Sequence, residues 1–260
     1  WEVVPGAVMG EALAVANQKG GVGKTGVCIN MGGALAAAGH RVLLVDLDPQ
    51  GNLTRGLGLE QAMPPAPTLA AALSGGAANE QLIVTHSSGL CVIPASPDLF
   101  LAERVLINVH GREWRLHRVL AAVAGNFDYV LIDCPPSLGH LTDNALVAAG
   151  RALVPILPDG SSLAGVEMFT DQAETLAAGL GISIGIIGLV VMMLDETKAA
   201  QRAMEATGDL AIPVIGTVRR RTKVREAWDA GQTIEQFAPA GDAAEMFRVL
   251  AASVVEAVKA

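Results

Sequence analysis

The sequence predicts an α/β fold, in which a doubly wound and mostly parallel sheet carries helices on both faces. Two observations lead to this prediction. Short apolar runs alternate with longer helical patterns from residue 12 onward, and such alternation builds a parallel sheet that is covered on both sides. Several of the runs, such as residues 42–45, are continuously apolar, as strands buried on both faces are.

The predicted elements follow the chain in order. Strands are predicted at residues 12–16, 42–45, 90–94, 127–133, 152–157, 184–192 and 212–215. Helices are predicted at residues 27–38, 98–124 (as one helix or two), 163–178, 199–207 and 243–259. Residues 60–80 are rich in Ala, Pro and Gly and predict a loop with one short helix.

Capping and breaking residues set several of these bounds. Gly39 follows the first helical pattern, where a glycine commonly ends a helix. Pro97 and Asp98 form a helix start signal, and Pro135 ends the strand before it. The last helix is predicted to pack on the core through one apolar face, which consists of Phe247, Leu250, Val254 and Val258.

We expect residues 1–11 to be a flexible N-terminal tail and residues 12–260 to form one domain, because the chain shows no internal repeat and no linker. Aromatic residues make up only 3% of the chain, so the core must consist mainly of Ala, Val, Leu and Ile. The net charge of −8 argues against nucleic acid binding by the whole surface, but a local basic patch remains compatible with it.

Cysteines and hydropathy bear on the location of the protein. Cys28, Cys91 and Cys134 lie far apart in apolar surroundings, which predicts buried thiols in a reducing compartment. There is no signal peptide and no apolar run of about 18 residues. We therefore expect a cytoplasmic protein without a membrane span.

A Gly-rich turn, KGGVGKT at residues 19–25, lies between the first predicted strand and the first predicted helix. Its glycines, Gly20, Gly21 and Gly23, allow successive backbone N–H groups to point into one concavity. The start of the following helix adds a partial positive charge. In this setting the sequence predicts phosphate binding.

Two side chains at the end of this turn have expected roles. Lys24 would reach the β- and γ-phosphates of a nucleotide, and the hydroxyl of Thr25 would bind Mg²⁺. The strict pattern G-x-x-x-x-G-K-T fails, because Gln18 occupies the place of its first glycine. A second lysine, Lys19, follows directly.

Acidic residues end two other predicted strands. Asp133 follows four apolar residues and is placed to hold Mg²⁺ through water. Asp46 and Asp48 are two residues apart at another strand end, so we expect them to face the same side. Because neighbouring carboxylates repel each other, this arrangement predicts a cation between them. One of these acids could also orient the water that attacks the γ-phosphate.

Three blocks carry a wider resemblance: KGGVGKT at residues 19–25, VLLVDLDPQGN at 42–52 and YVLIDCPPSLGHLTDNAL at 129–146. Together they resemble the signature blocks of the ParA/MinD ATPases, which are P-loop NTPases with a deviant Walker A motif. The ParA or Soj type of chromosome and plasmid partition ATPase is the most similar branch. The resemblance runs from about residue 12 to residue 257, and it implies that residues 12–260 are a P-loop ATPase domain.

The resemblance also implies roles for individual residues. Lys19 would be the signature lysine that reaches the phosphates bound to a partner subunit, and Asp48 would be the acid needed for hydrolysis. The implied catalytic residues are Lys19, Lys24 and Asp48. The implied Mg²⁺-associated residues are Thr25, Asp46 and Asp133. The implied nucleotide contacts are Lys19, Gly20, Gly21, Val22, Gly23, Lys24, Thr25, Gly26 and Arg220.

Five cations lie within residues 219–225 of this acidic chain. Arg220 aligns with an arginine that lies near the nucleotide base in the family. The remaining four could form a solvated face or a DNA-backbone patch shared across a dimer: Arg219, Arg221, Lys223 and Arg225. No recognition helix or stacking aromatics are evident in the sequence, so any DNA binding should be non-specific.

The function implied by the resemblance is an ATP-dependent switch for chromosome or plasmid partition. ATP/ADP and Mg²⁺ would be its cofactors, and Mg–ATP would join two subunits into a homodimer that binds DNA non-specifically. Hydrolysis, stimulated by a ParB-type centromere-binding protein, would release the dimer from DNA. The expected location is the cytoplasm, in association with the nucleoid.

Other functions were weighed against this one. A membrane-binding MinD-type ATPase needs a basic amphipathic last helix, whereas the charges of residues 243–259 balance, so no membrane partner is expected. The sequence favours neither of two other classes. A nitrogenase iron-protein type needs two cluster cysteines on loops, and a related tyrosine kinase would have a Tyr-rich tail. Gly26 stands where the family usually has a second Thr. A nucleotide-binding scaffold with little turnover therefore stays open, as does a MinD-like or orphan positioning ATPase for a protein cargo.

Overall fold

The computed structural model describes residues 10–61, 67–195, 197, 207–208 and 210–259. Its strands are β1 (Glu11–Val15), β2 (Val42–Asp46), β3 (Val84–Thr85), β4 (Cys91–Ile93), β5 (Tyr129–Asp133), β6 (Arg151–Ile156), β7 (Gly185–Leu194) and β8 (Val214–Arg219). They form one sheet in the order β3-β4-β2-β5-β1-β6-β7-β8. All neighbouring strands are parallel except β3 and β4.

The register of the central strands brings three carboxyl ends together. Asp133 of β5 pairs with Val15 of β1 on one side and with Asp46 of β2 on the other. Since open parallel sheets bind ligands at the carboxyl ends of their strands, this edge is the expected place for a functional site. The strand order alone therefore puts Asp46 and Asp133 next to the loop that follows β1.

Ten α-helices are present in the described ranges. They are α1 (Lys24–Ala37), α2 (Asn52–Gly56), α3 (Leu69–Leu73), α4 (Leu99–Leu106), α5 (Arg115–Val123), α6 (His140–Ala149), α7 (Gly160–Leu180), α8 (Thr222–Asp229), α9 (Ile234–Phe237) and α10 (Asp242–Lys259). Short 3₁₀ helices occupy Glu80–Leu82 and Arg112–Trp114. None of the described helices combines the length and the apolar character that a membrane span needs.

The sheet separates two apolar cores. Ala12 and Ala14 of β1 face one core, which also contains side chains of α3–α7. Leu13 and Val15 face the other core, beneath α1 and α10. This alternation buries a central strand on both faces, which explains its continuous apolar run.

The predicted fold class is confirmed, and so is the apolar face of the last helix, because all four of its residues are buried in α10. The division of residues 98–124 into two helices is likewise observed. Cys28 and Cys134 are buried as predicted, but Cys91 is only half-buried, because it starts the short strand β4 near the edge of the sheet.

Several element bounds were wrong. The first helix begins at Lys24 rather than at residue 27, since Gly23 adopts a left-handed conformation and its carbonyl accepts a hydrogen bond from Val27 N at 2.9 Å. The strand predicted at 212–215 is β8, which begins at Val214 and runs on to Arg219 at the edge of the sheet. Gly216 and Thr217 interrupt its apolar run, so that run understated its extent.

Five elements were missed: β3, α2, α6, α8 and α9. Glu11, which was placed in the tail, begins β1, and its N–H donates to Asp128 O at 2.9 Å. Residues 1–9 of the predicted tail and all but residue 207 of the helix predicted at 199–207 lie outside the described residues. The single-domain assignment stays a prediction.

Candidate active site

The Gly-rich loop curls between β1 and α1. Gly21 and Gly23 have φ angles of 74° and 94°, which residues with a side chain adopt only with strain. A Cβ atom at Gly23 would also lie 3.0 Å from Met192 Cε. The backbone conformation therefore favours glycine at position 23, and the nearby side chain of Met192 adds to this preference.

Lys24 ties the two ends of this loop together. Its side chain is 7% exposed, and Nζ donates to the carbonyl oxygens of Asn17 at 3.0 Å and Lys19 at 3.2 Å. Burial lowers the pKa of Lys24, while the charge of Asp133 acts in the opposite direction. The ammonium group thus lies inside the curve of the loop, where a phosphate-binding lysine is expected.

Asn17 anchors the loop from behind. Its side-chain amide donates to Pro155 O at 2.8 Å, and its carbonyl oxygen Oδ1 accepts from Lys19 N at 2.9 Å. The residue is 2% exposed. Asn17 was not among the predicted site residues, although its place two positions before the Gly-rich turn was a visible signal.

Two buried carboxylates lie beneath the loop. Asp46 and Asp133 are both 0% exposed. Thr25 Oγ1 donates to Asp133 Oδ2 at 2.7 Å. Asp46 Oδ2 accepts from Thr54, from N at 2.8 Å and from Oγ1 at 2.7 Å. In the described part of the chain, the second oxygen of each carboxylate, Oδ1, is buried without a hydrogen-bond partner.

This arrangement raises the pKa of both carboxyl groups. Burial raises the pKa of Asp46 to about 7, in spite of the bonds from Thr54. Burial also raises the pKa of Asp133 well above its usual range, and the charge of Asp46 adds to that effect. Two adjacent carboxyl groups, each with an unpaired buried oxygen, favour a cation close by.

Mg²⁺ fits this chemistry. It is commonly held by one or two protein oxygens together with waters and substrate phosphates. The described residues contain no group of three or more His, Cys, Asp or Glu side chains that could hold a metal ion by themselves. Thr25, Asp46 and Asp133 would therefore hold Mg²⁺ only in combination with a phosphate ligand, and their role in metal binding stays a prediction.

Asp48 differs from Asp46 in its surroundings. It is 6% exposed, and its Oδ1 accepts from Gln50 N at 3.0 Å, which orients the carboxylate. Asp48 lines the cavity beside the Gly-rich loop, whereas Asp46 does not. Thr54 of α2 covers one oxygen of Asp46, so Asp48 alone of the two borders the cavity, and the expectation that both face a bound ligand stays a prediction.

A cavity of about 610 Å³ opens over the loop, within the usual range for small-molecule sites. One wall is formed by the loop and the start of α1: Gly20, Gly21, Gly23, Lys24, Thr25 and Gly26. The opposite wall is formed by the end of β8, by α8 and by Phe247 of α10. Arg220 and Trp228 lie on that wall. The place of Arg220 near a nucleotide base stays a prediction, and Trp228 was not among the predicted site residues.

The basic segment lies largely on the same wall, because Arg219, Arg221 and Arg225 line the cavity and Lys223 does not. Three of its cations have acidic partners within the chain. The salt bridges are Arg221–Asp242 at 2.6 Å, Lys223–Glu226 at 2.6 Å and Arg225–Asp229 at 3.2 Å. Contact of these residues with DNA stays a prediction.

Lys19 lies on the rim of the loop. Its Nζ is 2.7 Å from Asp159 Oδ2 of the same chain. Asp159 precedes α7 and lies 140 positions away along the chain, so no local sequence pattern predicts this pair. The expected contact of Lys19 with the phosphates of a partner subunit stays a prediction.

Comparisons with known proteins agree with this geometry. A protein-family profile described as an AAA domain matches residues 10–186. The chromosome-partitioning ATPase Soj of Treponema pallidum (strain Nichols) is 38% identical over 253 residues, which cover 95% of this chain and 98% of that protein. The sporulation initiation inhibitor protein Soj of Bacillus subtilis (strain 168) is 37% identical over 259 residues, with the same coverage of 95% and 98%.

A solved structure has a similar fold. The chain is similar to cobyrinic acid a,c-diamide synthase from Mycobacterium smegmatis, crystallised with bound ADP and magnesium. The two are 33% identical, with a TM-score of 0.83 over 97% of this chain and 96% of that one.

Proposed function

The chain belongs to the ParA/Soj family of partition and positioning ATPases, and from this we propose that it is an ATP-dependent dimerising switch for chromosome or plasmid partition. The chain is an ATPase that uses ATP/ADP and Mg²⁺ as cofactors. Homodimer formation, non-specific DNA binding and stimulation by a ParB-type partner are the proposed parts. A cytoplasmic, nucleoid-associated location follows from them.

One observation carries the proposal. The curled loop that holds Lys24, the paired carboxylates of Asp46 and Asp133, and the cavity of about 610 Å³ all meet at one edge of the sheet. This edge provides backbone and ammonium groups for phosphates and carboxylates for a cation. When bound, Mg²⁺ supplies positive charge next to the β- and γ-phosphates.

Individual residues of this chain have separate proposed roles. Lys24, held inside the loop, binds the β- and γ-phosphates, and Arg220 lies on the wall proposed to face the base. Asp48 faces the cavity with its carboxylate oriented by Gln50 N, so it can position the attacking water. Lys19 of a second subunit would complete the charge around the γ-phosphate, as an arginine finger does in other P-loop enzymes.

The switch depends on the γ-phosphate. While ATP is bound, its γ-phosphate is bound by both subunits and holds the dimer together. Hydrolysis removes this shared ligand, so the subunits separate and the composite DNA surface comes apart. A ParB-type partner would accelerate this step.

Steady-state ATP turnover tests the enzymatic part. We expect Lys24→Ala and Asp48→Ala to lower the turnover at least about 100-fold, because the first removes a group that stabilises transition-state charge and the second removes the group that positions the attacking water. Asp128→Asn is a suitable control, because Asp128 pairs with Arg41 at the amino-terminal ends of β5 and β2, away from the Gly-rich loop. Equal rates in all variants would contradict the proposal and favour a nucleotide-binding scaffold.

DNA co-sedimentation tests the switch. We expect the protein to sediment with DNA of arbitrary sequence in ATP but not in ADP, and to lose this binding at higher salt. Binding that is equal in ATP and ADP, or absent in both, would contradict the proposed DNA switch. In the second case a positioning ATPase for a protein cargo would be the better description.

A further inference from the structure

The contact between Lys19 and Asp159 joins the Gly-rich loop to the start of α7. Lys19 Nζ donates to Asp159 Oδ2 at 2.7 Å. The side chains are 30% and 42% exposed, respectively. The pair therefore lies at the surface, where a weak interaction can break without disturbing the core.

Asp159 is itself held firmly. Its other oxygen, Oδ1, accepts hydrogen bonds from Ser162 N and from Ser162 Oγ, both at 3.0 Å. Asp159 is thus the N-cap of α7, and one of its oxygens caps the helix while the other binds the lysine. The carboxylate has a fixed orientation that does not depend on Lys19.

The main chain of Lys19 is fixed by different contacts. Its N–H is bound by Asn17 Oδ1, and Asn17 is bound to Pro155 of β6. The same Asn17 oxygen would lie 3.6 Å from a Cβ atom on Gly165, so the first turns of α7 pack against this anchor. Lys19 can therefore change the partner of its ammonium group while its backbone stays in place.

We infer that Asp159 is a positioning residue that latches the ammonium group of Lys19 within its own subunit, and that this latch opens in both subunits when the dimer forms. The inference rests on the proposed function, in which Lys19 reaches the nucleotide of the partner. In the latched position the lysine is engaged by a carboxylate of its own chain. Dimer formation must then compete with that ion pair.

The size of the effect follows from the exposure of the pair. An exposed salt bridge typically changes an equilibrium by about 1.4- to 5-fold. A symmetric dimer opens one latch in each subunit, so the two factors multiply. Loss of the latch should therefore lower the dimer dissociation constant by roughly 2- to 25-fold.

Asp159→Asn is the decisive variant. Asparagine caps helices as well as aspartate does, so the bonds to Ser162 can be kept while the charge that holds Lys19 is removed. We expect sedimentation velocity with Mg²⁺ and a non-hydrolysable ATP analogue to show a dissociation constant roughly 2- to 25-fold below that of the wild type. A merely structural role for Asp159 would weaken the dimer instead.

Two further variants control for charge and position. Asp128→Asn removes the acid of the Arg41–Asp128 ion pair, which has the same 2.7 Å length and lies at the opposite edge of the sheet, and it should leave the dissociation constant unchanged. Asp159→Glu restores the carboxylate and should bring the constant back toward the wild-type value. Thermal melting of each variant verifies that it is folded.

Lys19→Ala separates the latch from the proposed function. If the wild type dimerises with the analogue and Lys19→Ala does not, the proposed dimer stands, and an Asp159→Asn constant equal to or weaker than that of the wild type overturns only the latch. If the wild type stays monomeric, or if Lys19→Ala dimerises as well as the wild type, Lys19 has no role across an interface. The proposed dimer contact and the latch then both fall.

Discussion

The carboxyl groups of Asp46 and Asp133 lie on adjacent strands, each with one oxygen bonded and the other without a partner in the described structure. Such a pair destabilises a folded protein when both groups are charged, because burial and mutual repulsion act together. The loss of stability must be offset by an advantage in function. We propose that this advantage is a high affinity for a cation and its phosphate ligand at this edge of the sheet.

The raised pKa of Asp46 predicts how stability depends on pH. In the unfolded chain this carboxyl titrates near 3.8, and in the folded protein near 7, so the folded state binds the additional proton between these values. Its contribution to stability is therefore fully present below about pH 4 and is lost as the pH rises through 7. Urea unfolding between pH 5.5 and 8 should show a fall in the free energy of unfolding that Asp46→Asn reduces.

An equal fall in Asp46→Asn and in the wild type would show that Asp46 does not cause the pH dependence.

Binding of Mg–ATP gives a second measurement. Because a bound cation favours the charged carboxylates, the increase in melting temperature on adding Mg–ATP should be larger at pH 8 than at pH 6.

Thr54 predicts a separate effect at the same carboxylate. Its Oγ1 donates to Asp46 Oδ2 at 2.7 Å and accepts from Ala95 N at 3.0 Å, and the residue is 2% exposed. Thr54→Val keeps the shape but removes both bonds, so we expect a loss of about 2–4 kcal/mol in the free energy of unfolding, of which about 1–3 kcal/mol comes from the unpaired Ala95 N. Thr54→Ser keeps the hydroxyl and should lose only about 1 kcal/mol, for one buried methyl group. Equal losses in chemical denaturation would contradict this assignment.

Among the elements, α1 connects the phosphate loop to the packing of the core. Its glycines have different surroundings. A Cβ atom at Gly26 would meet nothing within 4 Å, whereas at Gly33 it would lie 2.9 Å from Thr233 Cβ. Thr233 caps α9 through a capping box, and Asn30 of α1 accepts from Ile234 N at 2.8 Å. The close approach of α1 and α9 thus explains Gly33, whereas packing does not explain Gly26.

This contrast gives a matched pair of substitutions. Gly26→Ala should stabilise the protein by about 0.5–1 kcal/mol, because alanine favours the helix and finds open space. Gly33→Ala should destabilise it by about 1–3 kcal/mol, because the added methyl group forces Thr233 or α1 to shift. Chemical denaturation of both variants measures the difference. A Gly26→Ala variant that is less stable than the wild type would contradict the argument.

The elements also show what the sequence could predict and why the rest escaped. Continuous apolar runs that alternate with helical patterns located β1, β2 and β5, and the Gly-rich turn located the loop between β1 and α1. By contrast, α6 contains a buried Asn144 that accepts from Leu116 N and donates to His140 O, so polar residues break its apolar pattern. The mostly exposed helix α8 was interpreted as a basic run.

Several contacts between distant residues could not be predicted. Lys19 and Asp159 are 140 positions apart, and no local pattern links them. The same holds for Thr54 and Ala95, which meet only because α2 packs over the ends of β2 and β4. The sequence thus indicated which chemical groups the site contains, whereas the pairing of those groups depends on the tertiary structure.

For the whole molecule, the balance of charge limits how DNA can bind. The chain has a net charge of −8, so most of its surface repels a polyanion, and any binding must depend on a local patch. Within the basic segment, Lys223 is the cation that does not line the nucleotide cavity. It is therefore the residue that can report on DNA contact without disturbing the nucleotide.

We expect Lys223→Gln to weaken DNA binding in ATP and to lower the slope of log affinity against log salt concentration by about 0.9 for each DNA phosphate that is no longer neutralised. Its affinity for ADP should stay at the wild-type value, whereas Arg220→Gln should lower that affinity. Arg41→Gln is the matched control, because Arg41 is an exposed cation paired with Asp128 at the opposite edge of the sheet. DNA titrations at several salt concentrations measure the slope. If Lys223→Gln and Arg41→Gln both give the wild-type slope, Lys223 does not contact DNA, and this prediction is contradicted.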